Sequence, residues 1–115
     1  MPELPEVEVV RRGLLLHLPG RAILSFTTDG KKLREPVPES AMNRFLPGSR
    51  ITDVTRRAKY LLLHLHNGAV MIVHLGMTGQ LGLHPQSQAR TKHDHICWKL
   101  DNGMELRFND IRRFG

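Results

Sequence analysis

The sequence predicts a mainly antiparallel β domain, a sandwich or a barrel, with a long helix at its N-terminus and a short second helix. Two observations carry this prediction. A stripe of apolar residues at helical spacing opens the chain, and two hairpin signals follow it, Asn67-Gly68 and Asp101-Asn102-Gly103. One helix followed by many strands and tight turns is typical of a sheet that closes beside the helix.

The long helix is predicted from Pro5 to Leu18. Val7, Val10, Leu14 and Leu18 recur at helical spacing and form one apolar face. Proline suits the first turn, where its missing N–H costs nothing, and early glutamates favour the positive end of the helix dipole. A Pro-Gly pair directly after Leu18 predicts the end of the helix.

Most of the remaining chain reads as short strands, with one further helix and one loop. The short helix is expected in PESAMNRFLPG, where Pro-Gly again closes the segment. The stretch LHPQSQARTK, residues 83–92, has few apolar residues and predicts an exposed, mobile loop. The strand-like runs are RAILSFTT, RITDVTR, KYLLLHLH, AVMIVHLG, HICWKL and MELRFND.

Composition narrows the class of protein. A chain of 115 residues suffices for one domain, and its net charge of +6 with a pI near 10.3 favours a polyanionic partner, nucleic acid first. Cys97 is the only cysteine, which excludes an internal disulfide and a cysteine-rich zinc site within the chain and fits a reducing, cytoplasmic setting. No apolar run approaches the roughly 18 residues of a membrane span.

The N-terminus MPELPEVEVV has both a structural and a chemical interpretation. Proline and glutamates can simply start a helix. If Met1 is removed, however, Pro2 presents a secondary α-amine, a group that titrates near ~7.7–8.0 and is therefore partly free base at neutral pH. Such an amine can attack a sugar carbon and form an iminium that has no N–H to lose, while Glu3 and Glu6 are close enough in sequence to supply acid and base steps.

Three further stretches place basic or unusual side chains near strand ends: RRAKYLL, HLGMTGQ and DIRRFG. Each basic cluster can hold phosphates or can be a solvated strand end. Met77 can lie in the core or can act as a flexible wedge between bases. Arg112 can bind the edge of an orphaned base, and Phe114 can stack into a duplex or pack in the core.

Together with the N-terminus, these stretches resemble the bacterial formamidopyrimidine-DNA glycosylase family. The matching segments occur in the family's order across all 115 residues, and they are PELPEVE, RRAKYLL, HLGMTG, KHDH and D-x-RRFG. PELPE resembles the oxidised-purine branch, whereas the sister endonuclease VIII branch tends to show PEGPE. The resemblance implies a monomeric bacterial base-excision DNA glycosylase with AP lyase activity. Its partner would be double-stranded DNA that carries oxidised purines such as 8-oxoguanine or formamidopyrimidines.

The resemblance also implies roles for individual residues. Pro2 would be the nucleophile that attacks C1′ and forms the Schiff base, Glu3 its acid–base partner, and Glu6 a support for lesion or water positioning. Lys59 would serve the elimination step and grip the DNA backbone. The implied DNA-binding residues are His74, Met77, His93, Arg112, Arg113 and Phe114.

Among the implied DNA-binding residues, two histidines contact phosphate and three side chains replace a flipped base. His74 and His93 have the phosphate role. Met77, Arg112 and Phe114 fill the gap in the duplex, because a thioether, a guanidinium and a ring replace part of the lost stacking and pairing.

No metal site is expected in this chain. His93 and His95 would share one face of a strand, but no third ligand is placed by spacing. The chain departs from the family in two respects. Ile111 stands where many relatives have proline, and the helix–two-turn–helix module and the C-terminal four-cysteine zinc finger are missing. Residues 1–115 are therefore interpreted as the N-terminal catalytic domain alone, with zinc expected only in the missing finger.

Two alternatives remain open from the sequence. The chain could be a non-catalytic β domain that recognises damaged duplex through its wedge residues. It could also belong to the pyrimidine-preferring, endonuclease VIII-like sister enzymes, which a panel of lesion substrates would distinguish. The sequence does not decide the preferred lesion, because the discriminating loop of the family lies downstream of the residues that match.

The 115-residue chain alone is expected to bind DNA weakly and to nick a duplex containing 8-oxoguanine slowly or not at all. The physical reason is that much of the family's DNA grip belongs to the absent modules. A gel-based nicking assay on an 8-oxoguanine duplex measures this, with an undamaged duplex as control. Turnover equal to that of a full-length family member would contradict the prediction.

Overall fold

A computed structural model describes residues 4–30, 33, 37–76, 78–111 and 113. It has the expected mainly antiparallel fold with a long N-terminal helix and a short second helix, which confirms the predicted fold class. The helices and strands of the described residues are α1 (Leu4–Leu15), β1 (Ala22–Thr28), α2 (Glu39–Phe45), β2 (Ser49–Arg57), β3 (Tyr60–Leu65), β4 (Val70–His74), β5 (Gln80–Pro85), β6 (Asp94–Leu100) and β7 (Met104–Asn109).

The strands form one sheet that consists of two halves. The strand order is β4-β3-β2-β1-β6-β7-β5, and every described pair is antiparallel. β1 and β2 pair only at Ala22 and Ile23, and the pairing of each strand with its other neighbour changes register close to this junction. Because register irregularities bend strands, the β4-β3-β2 half can fold over the β1-β6-β7-β5 half.

Helix α1 contributes its apolar face to the core between the two halves. Val7, Leu14 and Leu18 are buried in a single cluster with side chains from both halves of the sheet. The helix contacts β2, β3 and β5. It ends at Leu15, three residues before the predicted end, because the amides of His17 and Leu18 both donate to the Leu14 carbonyl in a closing turn. Leu18 nevertheless remains part of the apolar face.

Both predicted hairpins are present. Gly68 and Gly103 have φ values of 89° and 81°, a backbone conformation that glycine adopts without steric cost. Asn67 adds a second role, since its side-chain amide donates to the Phe45 carbonyl and to Ser49 Oγ and so joins the β3–β4 turn to the end of α2. The second helix lies inside the predicted segment and buries Met42.

One strand was missed by the sequence analysis. Leu83–Pro85 were assigned to an exposed loop, but they form the second half of β5, which pairs with β7 from Gln80 to Pro85. Gly82 and Pro85 conceal the alternation of Leu81 and Leu83 that indicates a strand. Proline is tolerated because β5 is the last strand of the sheet and does not need every N–H for pairing.

The rest of the predicted loop, residues 86–92, is exposed as expected but is anchored over the outer face of β7. Glu105 and Arg107 lie beneath it with only 1% and 2% of their surface exposed. Arg107 donates to Glu105 and to the Gln88 carbonyl, and Arg90 donates to both carboxylate oxygens of Glu105 at 2.9 and 2.8 Å. The hydrogen bonds from Arg90, followed by those from Arg107, outweigh burial and lower the pKa of Glu105 to about 2.

Among the helices of the described residues, none has the length and hydropathy that a membrane crossing requires.

Replacing Glu105 with glutamine is expected to destabilise the fold. At neutral pH the loss should be roughly 3–5 kcal/mol, because the buried Arg107 loses its charge partner. The pKa of Glu105 is lower in the folded chain (about 2) than its ordinary value of 4.5, so its contribution is complete above pH 4.5 and is lost as pH falls through about 2. Urea unfolding followed by circular dichroism at several pH values measures the difference between the two proteins.

The matched control is Glu39→Gln, an exposed glutamate in the first turn of α2. It should change the free energy of unfolding by less than about 0.5 kcal/mol. A gap between wild type and Glu105→Gln that stayed constant from pH 7 to pH 2 would show that ionisation of Glu105 is not the cause.

Candidate functional site

The β2–β3 turn lies at the same end of the sheet as the end of β4. Tyr60, the first residue of β3, is the register partner of His74, the last residue of β4, and their ring centroids are 4.9 Å apart. Lys59 precedes Tyr60 in the turn and is exposed. The basic turn of RRAKYLL and the histidine that opens HLGMTG are therefore neighbours.

The other half of the sheet brings three strand ends together. Asn109, at the end of β7, is the register partner of both Gln80, which starts β5, and Asp94, which starts β6. His93 and Asp110, which lie next to these strand ends and share a backbone hydrogen bond, are consequently close to the start of β5. The chain runs from the end of β4 directly to the start of β5. A single connection therefore joins the two groups of strand ends.

That connection, residues 75–79, is called the tip loop from here on. The Gly79 amide donates to the Leu75 carbonyl at 2.8 Å, which brings the two ends of the loop close together. The β2–β3 turn, the tip loop, the start of β6 and the end of β7 therefore form one continuous region. This region is called the functional edge.

Helix α1 points its N-terminal end toward the functional edge. Arg11 donates to the Val54 carbonyl at 3.4 Å, and one turn earlier Glu8 accepts from Arg56 at 3.1 Å. The residue nearer the start of α1 thus contacts the residue nearer the end of β2. The helix and this strand therefore run in opposite directions. Glu6 lies in the first turn of α1 and is exposed.

Glu8 is the centre of a charge cluster that sequence reasoning missed. Arg11, Arg12 and Arg56 all donate to its carboxylate, at distances between 2.5 and 3.1 Å. The hydrogen bonds from Arg11, followed by those from Arg12 and Arg56 and opposed by partial burial, hold the pKa of Glu8 far below its usual range. The i+3 and i+4 spacing of the two helical arginines was a usable sequence signal. The partner on β2 left no such signal.

Two features fix the shape of the tip loop. Gly76 has a φ of 65° and donates its amide to Nδ1 of His74 at 3.1 Å. Since Nδ1 accepts that hydrogen bond, the ring proton of a neutral His74 lies on Nε2. Gly79 is buried, and a Cβ at this position would overlap the backbone of Leu75.

The β2–β3 turn is also conformationally specific. Ala58 has a φ of 53°, which is unusual for a residue with a side chain, and its carbonyl accepts from Arg56 at 3.2 Å. Arg57 and Lys59 are exposed on either side of it. Neither has an ion-pair partner among the described residues, in contrast to Arg56.

Asp110 joins the tip loop to the start of β6. Its carboxylate accepts from Thr78 Oγ at 2.5 Å, its amide donates to the His93 carbonyl at 3.1 Å, and its carbonyl accepts from His95 Nε2 at 2.7 Å. Asp110 is fully buried and His95 is 2% exposed. The other ring nitrogen of His95 lies 2.6 Å from the Asp29 carboxylate.

The structure describes half of the site residues predicted from the sequence. Glu6, Lys59 and Arg113 are exposed, whereas His74 and His93 are half-buried, and all but Glu6 lie in or directly beside the functional edge. Arg113 has a φ of 57°. The remaining predicted residues lie outside the described residues, and they are Pro2, Glu3, Met77, Arg112 and Phe114.

The described residues do not bring together a set of side chains suited to bind a metal. Among the described residues no group of three potential ligands occurs, and both ring nitrogens of His95 already face protein oxygens. Cys97 is the only cysteine of the sequence, and burial raises its pKa to about 11, which disfavours the thiolate that zinc binds. One cysteine cannot supply the four-cysteine finger that the resemblance implies for the family.

Comparison with known proteins gives consistent results. The family model described as "Formamidopyrimidine-DNA glycosylase N-terminal domain" matches residues 1–115. A formamidopyrimidine-DNA glycosylase of Legionella pneumophila (strain Paris) is 48% identical over 115 residues, and one of Idiomarina loihiensis is 50% identical. These matches cover all of this chain but only 41% and 42% of the relatives. The chain thus spans about two fifths of their length.

Solved structures with a similar fold include complexes with DNA. A Lactococcus lactis formamidopyrimidine DNA glycosylase bound non-covalently to DNA containing an AP site has a TM-score of 0.88 at 32% identity. The match covers 98% of this chain and 43% of that chain. MutM in complex with DNA containing carbocyclic 8-oxo-G has a TM-score of 0.88 at 33% identity, over 98% and 42% of the two chains.

Replacing Gly79 with alanine is expected to lower the free energy of unfolding by roughly 1–3 kcal/mol, because the added methyl group forces the tip loop away from the Leu75 backbone. Thermal and urea unfolding measure the change. Gly82→Ala, three residues later in β5, is the matched control. Its Cβ would meet only the His84 ring at 3.6 Å, an ordinary contact, and it should be neutral or slightly stabilising. Equal losses in both variants would contradict this account of Gly79.

Proposed function

Because the chain belongs to the family of formamidopyrimidine-DNA glycosylase N-terminal domains, we propose that it is the catalytic domain of a base-excision DNA glycosylase with AP lyase activity. Its substrate is double-stranded DNA that carries oxidised purines. The observation that supports this most is the convergence of the family's motifs. The start of α1, the β2–β3 turn, the tip loop, KHDH and the end of β7 approach one edge of the fold.

The proposed chemistry begins at the N-terminus after removal of Met1. The secondary amine of Pro2 attacks C1′ of the damaged nucleoside as the glycosidic bond breaks, and the departing base takes a proton from Glu3. The Glu3 carboxylate then takes the N–H proton of Pro2 and delivers it to the ring oxygen, so that the bond from C1′ to this oxygen breaks and an iminium forms between Pro2 and C1′. This cation has no N–H to lose, so it remains an electron sink for elimination of the neighbouring phosphates.

The geometry of α1 supports this role of the N-terminus. The helix is oriented by Glu8, whose carboxylate is shared with Arg56 at the end of β2, so its first turn lies toward the basic β2–β3 turn. Lys59 in that turn is exposed and has no ion-pair partner among the described residues. It is therefore suited to hold the backbone phosphate and to assist elimination. Glu6 takes a supporting role for lesion or water positioning.

In this proposal, cationic and histidine side chains of the functional edge bind the DNA backbone. Arg57, Lys59 and Arg113 are exposed cations, and such cations bind phosphates by an electrostatic term that falls with salt. A neutral His74 has its ring proton on Nε2, and such an N–H can donate a hydrogen bond to a phosphate oxygen. His93 sits at the start of β6 and has the same proposed role.

The space left by the extruded base is assigned to the wedge residues Met77, Arg112 and Phe114. Extrusion costs a few kcal/mol of stacking and pairing. A thioether and an aromatic ring restore part of the stacking, and a guanidinium hydrogen-bonds the edge of the base that has lost its partner. These three residues belong to the two segments that Thr78 and Asp110 join at the functional edge.

The test is covalent trapping of the protein on DNA by borohydride, which reduces the iminium to a stable amine. Pro2→Gly in the full natural protein that contains this chain is expected to reduce trapping on abasic duplex by about tenfold or more, because the secondary amine is lost. Binding to the same duplex should change little. Denaturing gel electrophoresis measures the cross-link, and intact mass establishes that Met1 has been removed.

Pro5→Ala is the matched control, since it changes an exposed proline of the same segment without touching the terminal amine. It should trap like wild type. Protein that retains Met1 should not trap at all, because the Pro2 nitrogen is then an amide. Undiminished trapping of Pro2→Gly would overturn the proposed nucleophile, and binding of the abasic duplex by wild type without any trapping would favour a non-catalytic, damage-binding domain.

A further inference from the structure

We propose that Asp110 is a positioning residue that fixes the tip loop to the segment after β7, so that the wedge residues of the two segments enter DNA as one unit. This inference rests on the proposed function and deepens it. It concerns the contact between Thr78 and Asp110. The family resemblance implied no role for either residue. Neither residue is proposed to touch the reacting atoms.

The contact lies at the base of both segments. Thr78 Oγ donates to Asp110 Oδ1 at 2.5 Å, and the two residues are 32 positions apart in the sequence. Thr78 directly follows Met77, and Asp110 precedes Arg112 by two positions. This hydrogen bond therefore links the tip loop to the segment that follows β7.

Asp110 is itself held from two further directions. Its amide donates to the His93 carbonyl, and its carbonyl accepts from His95 Nε2. His95 in turn contacts the Asp29 carboxylate just beyond β1 through Nδ1 at 2.6 Å. The carboxylate that receives Thr78 is thus attached to β6 and to the residue that follows β1, which makes it a rigid reference point for the tip loop.

The complete burial of Asp110 indicates that this position requires a carboxylate. Asp110 exposes none of its surface, and burying a carboxylate is costly unless hydrogen bonds compensate for the lost water. An apolar side chain would fill the same space at lower cost, but it would not hold Thr78 at a defined distance and direction. The acceptor is fully buried, so the loss of the Thr78 donor is expected to have a large effect on the separation of the two segments.

The consequence for function is specific to duplex DNA. Only a duplex leaves a gap and an orphaned base when a nucleotide is extruded, so only a duplex substrate requires all wedge residues in register. A single-stranded abasic site can react with the N-terminal amine without any wedge. Loosening the tip loop should therefore slow the reaction on duplex DNA and spare the reaction on single strands.

The experiment compares Thr78→Val with wild type in the full natural protein that contains this chain. Valine matches threonine in shape but lacks the hydroxyl. Single-turnover excision from an 8-oxoguanine duplex should slow by about tenfold or more. Strand cleavage at a single-stranded abasic site should change by less than about twofold. A 2-aminopurine placed opposite the lesion should show a smaller fluorescence change when the variant binds.

Two further variants serve as controls. Thr78→Ser keeps the hydroxyl and should restore the duplex rate to within about threefold of wild type. Thr55→Val removes a comparable side-chain hydrogen bond, the one between Thr55 Oγ and His64 Nε2 at 2.7 Å, at a half-buried position on β2. It should leave both rates unchanged. Thermal unfolding of all variants separates a local change from a loss of fold.

Each outcome decides the matter. Selective loss on duplex DNA in Thr78→Val, with recovery in Thr78→Ser, supports the positioning role of Asp110. Loss on both substrates, loss on neither, or no recovery with serine overturns this role while wild-type activity still supports the proposed function. A wild-type protein that cleaves neither substrate overturns the proposed function and this inference with it.

Discussion

The bend of the sheet between β1 and β2 is the constraint on which the functional edge depends. In a flat antiparallel sheet, two strands that pair only at their first residues diverge, and their far ends lie at opposite sides. Here β1 and β2 pair at Ala22 and Ile23 and then separate, with a change of register in each strand near the junction. The far ends of the two halves can therefore meet again, and the five-residue tip loop connects them.

Much of this fold follows from local patterns in the sequence, because tight turns have strong residue preferences. Asn67-Gly68 and Asp101-Asn102-Gly103 predicted both hairpins, and the apolar stripe from Val7 to Leu18 predicted the buried face of α1. The strand β5 escaped because its alternating leucines are interrupted by glycine and end in proline. Such an edge strand is stabilised by pairing with β7, and this interaction has no local signature.

For the candidate site, the sequence predicted the segments that form it but not the contacts that hold them together. Motifs in the sequence identified the segments of the functional edge, since the chemistry depends on residue types that stand close to each other along the chain. The contacts that hold these segments together connect residues far apart, such as Thr78 with Asp110, Glu8 with Arg56, and Asp29 with His95. Their pairing depends on the bend and register of the sheet, and spacing alone gives no access to it.

The distribution of charge connects the stability of the domain with its proposed function. Several acidic residues form hydrogen bonds and ion pairs within the fold. Glu8 holds three arginines of α1 and β2, Glu105 holds Arg90 and Arg107, and Asp110 receives the tip loop. These carboxylates are occupied by hydrogen bonds, so they do little to offset the exposed cations at the functional edge. The exposed cations Arg57, Lys59 and Arg113 can therefore act on a polyanion there, while the acidic residues orient the neighbouring helix and strands.

The composition of the tip loop explains why a polar side chain, that of Asp110, holds it in place. HLGMTGQ has two glycines within five residues, and Gly79 cannot carry even a methyl group without displacing the Leu75 backbone. Leu75 packs in the hydrophobic core at the start of the loop, but the two glycines that follow it have no side chains to pack. Hydrogen bonds are directional and specify both distance and orientation, so a buried carboxylate can hold such a loop where a leucine could not. Burying the Asp110 carboxylate costs free energy, and in return its hydrogen bond with Thr78 holds the tip loop in one geometry.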